Sequence, residues 1–148
     1  MAWKPHVTVA AVAERDGRYL MVEEDIHGKR VFNNPAGHLD PGESLIDAVR
    51  RETLEETGWD FEPDAVSGIY LWKNTELDTT FLRVAFYGRC LRHHPERRLD
   101  HGIVAAHWLT RAELGGERFP LRTPMVLDCI DDVVAGKRFP LEMLRYLD

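Results

Sequence analysis

The chain has 148 residues, 44% hydrophobic and 30% charged, the composition of an ordinary globular chain able to bury a core, and one domain over 1–148 is expected. Nineteen Lys and Arg against 25 Asp and Glu leave a formal charge of −6, which excludes a general binder of nucleic-acid polymers or anionic membranes. A small anionic substrate stays open, because a bound cation can supply positive charge locally.

Val7 to Val12 is apolar on both faces and β-branched, which predicts a central strand. Asp16-Gly17 predicts a hairpin turn into a return strand at Tyr19 to Val22, and Gly28 marks a turn before Val31-Phe32-Asn33. The clearest helix begins after Asp40-Pro41-Gly42. Ser44 is a good N-cap with Asp47 three residues on, and Gly58 stands where a C-terminal cap belongs. Strands are predicted near 66–72 and 80–91, then a polar loop from Arg92 to Asp100 and a short strand over 106–109. Helical spacing over 123–134 closes at Gly136. This order implies an α/β fold, a mixed β-sheet sandwiched between α-helices.

Cys90 and Cys129 form neither a disulfide framework nor a metal-ligand spacing, and they suit a reducing compartment. The apolar run Val7 to Ala13 is about half a spanning helix and meets Glu14, Arg15 and Asp16. Neither a signal peptide nor a membrane span is expected, and the expected location is the cytoplasm.

The stretch Gly37 to Trp59 carries the chemistry. At about 100° per residue, Glu52, Glu55 and Glu56 fall within roughly a 100° arc of one helix. Leu45, Ile46, Val49 and Thr53 occupy the adjoining stripe, which should face the core. Three carboxylates at the rim of a buried face repel one another, and partial burial aggravates the repulsion. Divalent cations resolve that conflict, because Mg²⁺ and Mn²⁺ prefer carboxylate oxygens.

The spacing also matches a known pattern, G-x5-E-x7-R-E-U-x-E-E-x-G-U with U a bulky apolar residue. All seven fixed identities are present, from Gly37 and Glu43 through Arg51 and Glu52 to Glu55, Glu56 and Gly58. Chance agreement is on the order of 10⁻⁹ to 10⁻⁸ per starting position. The chain therefore resembles a Nudix hydrolase, with Thr53 as a departure at a position that wants a larger apolar side chain. The resemblance implies the Nudix fold and metal ligation by Glu55 and Glu56, helped by the carbonyl near Ala36-Gly37. Glu52 resembles the metal-associated residue that acts as general base or orients water. Glu43 and Arg51 resemble the pair that supports the loop and the helix. Many members add a carboxylate from outside this pattern, the Nudix box, and Asp100 is preferred here over Glu96.

Flanking words add detail: Lys4 to Ala10, Asn33 to Leu39, Phe81-Leu82-Arg83 and Phe139 to Met143. Together they resemble the NudJ branch of the family. That branch implies Mg²⁺-dependent hydrolysis, with Mn²⁺ as a substitute, of nucleoside tri- and diphosphates and of thiamine-type diphosphates. The alternatives are a pyrophosphatase for ADP-ribose or dinucleoside polyphosphates, and a ligand-sensing module with a dead box. The complete glutamate set speaks against the last. The expected partner is a small nucleotide or coenzyme diphosphate, and the protein is expected as monomer or homodimer.

In a strand, Phe81, Arg83 and Ala85 share one face, while Leu82, Val84 and Phe86 share the other and read as core. Phe81 and Arg83 suit a ring and a phosphate, with a surface salt bridge as the alternative for Arg83, and Trp72 and Phe32 are further stacking candidates, although either taken alone fits core packing better. His38 either touches the metal site or phosphate, or orders its loop. His93 and His94 read as solvated, and Arg92, Arg97 and Arg98 as a solvated rim.

Overall fold

The computed structural model describes residues 2–148. Strand β1 (His6–Arg15) turns into β2 (Arg18–Ile26) at Asp16 and Gly17, whose φ values of 52° and 77° suit the twist of a tight hairpin. β3 (Lys29–Asn33) and the short β4 (Ala36–His38) lead to α1 (Leu45–Thr57). The helix has the ends its sequence predicts. Ser44 Oγ accepts the Asp47 N–H at 3.0 Å, and Gly58 closes the helix in the left-handed region at φ 76°. β5 (Trp59–Asn74), β6 (Thr79–His93), β7 (Ile103–Thr110) and α2 (Met125–Val134) follow, then a single 3₁₀ turn at Leu141–Met143.

The sheet is mixed, with strand order β3-β2-β1-β6-β5. β1 runs parallel to β6 and antiparallel to β4, and its end pairs with β2, which in turn carries β7. Both faces of β1 are buried, because a helix covers each side. Val9, Ala11 and Ala13 pack with Val84, Phe86 and the α1 residues Ala48 and Val49. Val12 and Ala85 pack on the other side with Val126, Cys129, Ile130 and Val133 of α2. The expected layering, a mixed sheet between helices, is the one observed.

The strands predicted at 66–72, 80–91 and 106–109 lie inside longer elements. β5 starts as early as Trp59, although Asp60, Glu62, Pro63 and Asp64 give that segment the composition of a loop. Register shifts at Trp59/Phe61 and Pro63/Ala65 absorb the proline, which cannot donate to a regular ladder. The second helix starts at Met125, two residues later than its pattern suggests.

Candidate active site

The site is built where α1 meets β4. Gly37 lies against the Glu52 carboxylate so closely that a Cβ there would push the carboxylate aside. Thr53, the departure from the family pattern, is fully buried and donates its hydroxyl to the Val49 carbonyl at 2.7 Å, so the polar group is satisfied within the helix.

Arg51 is the hub of the exposed side of the site. Its Nε and Nη2 grip both oxygens of Glu43, at 2.9 and 2.6 Å, as a bidentate pair. Nη2 also donates to the His38 carbonyl at 3.0 Å, tying the helix to β4. Nη1 reaches Glu52 at 2.8 Å and Glu55 at 3.0 Å. The Arg51 contact holds the Glu43 carboxyl below the usual range. Burial dominates at Glu52 and raises its pKa in spite of Arg51. Glu56 is more extreme. It is 8% exposed, accepts the Ala36 N–H at 2.9 Å, and is pushed up to about 9 by burial. Asp100 donates its backbone N–H to the Glu55 carbonyl at 3.0 Å. Burial and the Glu55 charge together raise its carboxyl pKa.

Among the described residues, no three carboxylate, imidazole or thiolate groups already converge on one point, and Glu52 and Glu55 both lean on Arg51. The donor set nevertheless fits a hard divalent cation. It is all oxygen, and the buried Glu56 carboxylate needs a nearby positive charge if it is to ionise near neutral pH.

Beside these groups lies a cavity of about 340 Å³. Glu52, Glu56, Ala36 and Gly37 form one wall, and Trp72, Phe81 and Arg83 contribute another part of its lining. Trp72 and Phe81 are cross-strand partners with ring centroids 5.9 Å apart and planes at 19°. Arg83 is only 3% exposed. Its Nη1 donates to Asn34 Oδ1 at 2.9 Å and its Nη2 to Asn33 Oδ1 at 3.2 Å.

A model of the NUDIX domain matches residues 3–127. The chain belongs to the Nudix family. Phosphatase NudJ of Escherichia coli strain K12 is 38% identical over 142 residues, covering 96% of this chain and 92% of that protein. Phosphatase NudJ of Shigella flexneri is similar to the same degree. Among solved structures, a NUDIX hydrolase from Nitrosomonas europaea is 50% identical, with a TM-score of 0.94 over 97% of this chain and 98% of that one. A MutT NUDIX hydrolase from Burkholderia pseudomallei shares the fold at 21% identity, with a TM-score of 0.75 over 88% of this chain and 99% of that one. The protein is a Nudix phosphohydrolase. Nudix hydrolases as a family use divalent metals and act on small nucleotides.

Against this family background, most of the expected residues meet. Glu52, Glu56, Ala36, Gly37, His38, Trp72, Phe81 and Arg83 all line the cavity. Glu55 sits next to them on α1 with Asp100 beside it, and Arg51 and Glu43 brace the helix from outside. His38 faces the cavity and also shares a hydrogen bond of 3.0 Å with His6. Burial holds the His38 ring below its ordinary pKa.

Phe32 is the correction. It is 4% exposed and packs edge-on against Phe119, centroids 5.1 Å apart, inside the core beneath α2. Strand alternation explains it, because Asn33, its neighbour on β3, takes the cavity side. The face carrying Arg83 is likewise no open surface, since α2 covers it from Ala85 onward. His93 is exposed as expected, whereas His94 is half-buried. His93 stacks on Trp59, centroids 4.7 Å apart, and His94 Nε2 lies 3.0 Å from Asp60.

Glu24 and Arg122 also line the cavity, and sequence reasoning missed both. The predicted return strand stopped at Val22, whereas β2 runs to Ile26 and carries Glu24 inward at 6% exposure. A glutamate continuing an otherwise buried strand was the available signal. Arg122 had none, because its place depends on the 120–122 segment lying beside β3, where Phe32 N–H donates to the Pro120 carbonyl and Arg122 N–H to the Phe32 carbonyl.

No helix among the described residues is long and apolar enough to cross a membrane.

Proposed function

We propose that this Nudix enzyme hydrolyses phosphoanhydride bonds of nucleoside tri- and diphosphates and of thiamine-type diphosphates, in the manner of NudJ, with Mg²⁺ as cofactor and Mn²⁺ as a substitute. The carrying observation is that one cavity joins the Glu52 and Glu56 carboxylates to a buried arginine and an aromatic pair. The reading treats residues 1–148 as one catalytic domain acting in the cytoplasm.

Glu52, Glu55 and Glu56 would hold the cation, with a backbone oxygen near Ala36-Gly37 and with Asp100 as the carboxylate from outside the box. When bound, the cation offsets negative charge that develops on the transferring phosphoryl group. Glu52 is the group suited to take a proton from the attacking water. It lines the cavity, and burial makes its carboxylate more basic than a solvated one. Arg51 orients it through the 2.8 Å contact, while the Glu43 pair fixes Arg51 in turn. Arg83 retains an N–H for an anionic oxygen or a ring acceptor. Trp72 and Phe81 offer an apolar surface that accepts any flat ring.

A panel of ATP, GTP, CTP, thiamine diphosphate and ADP-ribose, assayed with Mg²⁺ and with chelator, tests this. Orthophosphate release from triphosphates, abolished by chelator, is expected. Exclusive turnover of ADP-ribose, or pyrophosphate as the product, would move the enzyme to another Nudix activity.

A further inference from the structure

Among the described residues, three buried side-chain polar atoms have no hydrogen-bond partner: Glu24 Oε1, Arg83 Nε and Ser67 Oγ. Glu24 and Arg83 line the same cavity, and Ser67 does not. Leaving a buried charged group half-satisfied is costly, so two residues that carry such atoms and line one cavity mark a place where a ligand's own polar groups can complete them. The two have opposite character. Glu24 is an acceptor and Arg83 a donor.

Glu24 is held firmly. Its second oxygen, Oε2, takes Nη1 of Arg122 at 2.6 Å, and the side chain is 8% exposed. The pairing leaves Oε1 without a protein partner. A carboxylate oxygen repels phosphate, so the part of the substrate that docks there is not the phosphate chain. It must carry a hydrogen-bond donor, an N–H or an O–H. The aromatic pair lines the same cavity, which suits a flat ring and so favours a ring-borne N–H as that donor.

We propose that Glu24 is a specificity-determining residue that accepts a hydrogen bond from an amino group on the substrate's ring, with Arg122 as its positioning residue and Arg83 Nε as the donor to the same ligand. This rests on the phosphohydrolase reading above and sharpens it. Selectivity follows the amino group and not the ring size, so adenine, cytosine and an aminopyrimidine coenzyme are all accepted. The stacking surface alone would not discriminate among them.

The test compares ATP with purine riboside 5′-triphosphate, which differs only by lacking the 6-amino group. A charge-assisted hydrogen bond predicts about a 10- to 100-fold advantage for ATP in kcat/KM. Glu24→Gln, its amide oxygen turned to Arg122, presents an NH₂ to the ring, and the ratio falls to about one or inverts. Glu24→Asp keeps the charge but loses the reach, and the ratio falls likewise. Equal kcat/KM for the two nucleotides in the native enzyme overturns the proposal, and this arm needs no variant to fold. A Glu24→Gln enzyme that keeps the native ratio but needs more Mg²⁺ for half-activation overturns it too, by making Glu24 a carboxylate of the metal site. Equilibrium titration of metal-free protein with AMP and with purine riboside 5′-monophosphate separates this idea from the catalytic one. Tighter AMP binding supports Glu24 even if no triphosphate is turned over, and equal binding refutes it even if all are.

Discussion

Glu56 is a carboxyl that the metal-free fold holds in its protonated form. Burial raises it from an ordinary 4.5 to about 9. Between those values the unfolded chain loses the proton while the folded chain keeps it, so folded stability declines as pH rises, and below pH 4.5 the loss vanishes. The slope is about 1.4 kcal/mol per pH unit, which amounts to up to about 4 kcal/mol between pH 4.5 and 7.5. Glu56→Gln removes this dependence while keeping an oxygen to accept the Ala36 N–H. Burial of Glu52 adds a slope of its own, but it is present in both proteins and cancels in the difference. Urea unfolding in chelator at pH 5, 6.5 and 8 should therefore show the variant gaining on the native protein with each step. Saturating Mg²⁺ should reverse the order, because only the ionised glutamate rewards a cation, and the variant should lose turnover. A stability difference that stays constant with pH, or equal stabilisation of both proteins by Mg²⁺, would refute the assignment of Glu56.

Arg51→Ala should lower activity and stability together, since it strands Glu43 and frees Glu52 from its guide; Arg51→Lys should recover only part, because one ammonium cannot grip both Glu43 oxygens. Full activity in Arg51→Ala would reduce the residue to a surface charge. Gly37→Ala should cut kcat with the fold retained by circular dichroism, as the added methyl displaces the Glu52 carboxylate; native kinetics would count against that contact. Arg83→Ala should raise KM about 10- to 100-fold for phosphate-bearing substrates with a smaller effect on Mg²⁺ activation, measured by steady-state kinetics. Phe32→Ala should cost about 3–5 kcal/mol in urea unfolding, while the folded fraction keeps its native KM, because the ring packs in the core and not on substrate.

What the sequence determined by itself is the helix and its chemistry. Ser44, Asp47 and Gly58 set the ends of α1 through contacts three or four residues long, and helical spacing alone places Glu52, Glu55 and Glu56 on one arc. Contacts that short are readable because the chain between the partners has no freedom to separate them. β5 escaped in part, since its acidic, proline-bearing start is a strand only because β6 pairs with it and bulges absorb Pro63. The tertiary structure alone decided which strand faces serve substrate. Phe32 and Asn33 are adjacent in sequence, and which of them turns to the cavity depends on how β3 lies against β2 and the 120–122 segment. Arg83 became a buried group because α2 closes the sheet face that its strand pattern left open. Glu24 and Arg122 are 98 residues apart and meet only when that segment docks beside β3. Local spacing carries no record of such meetings, because they depend on strand register and on what covers each face of the sheet.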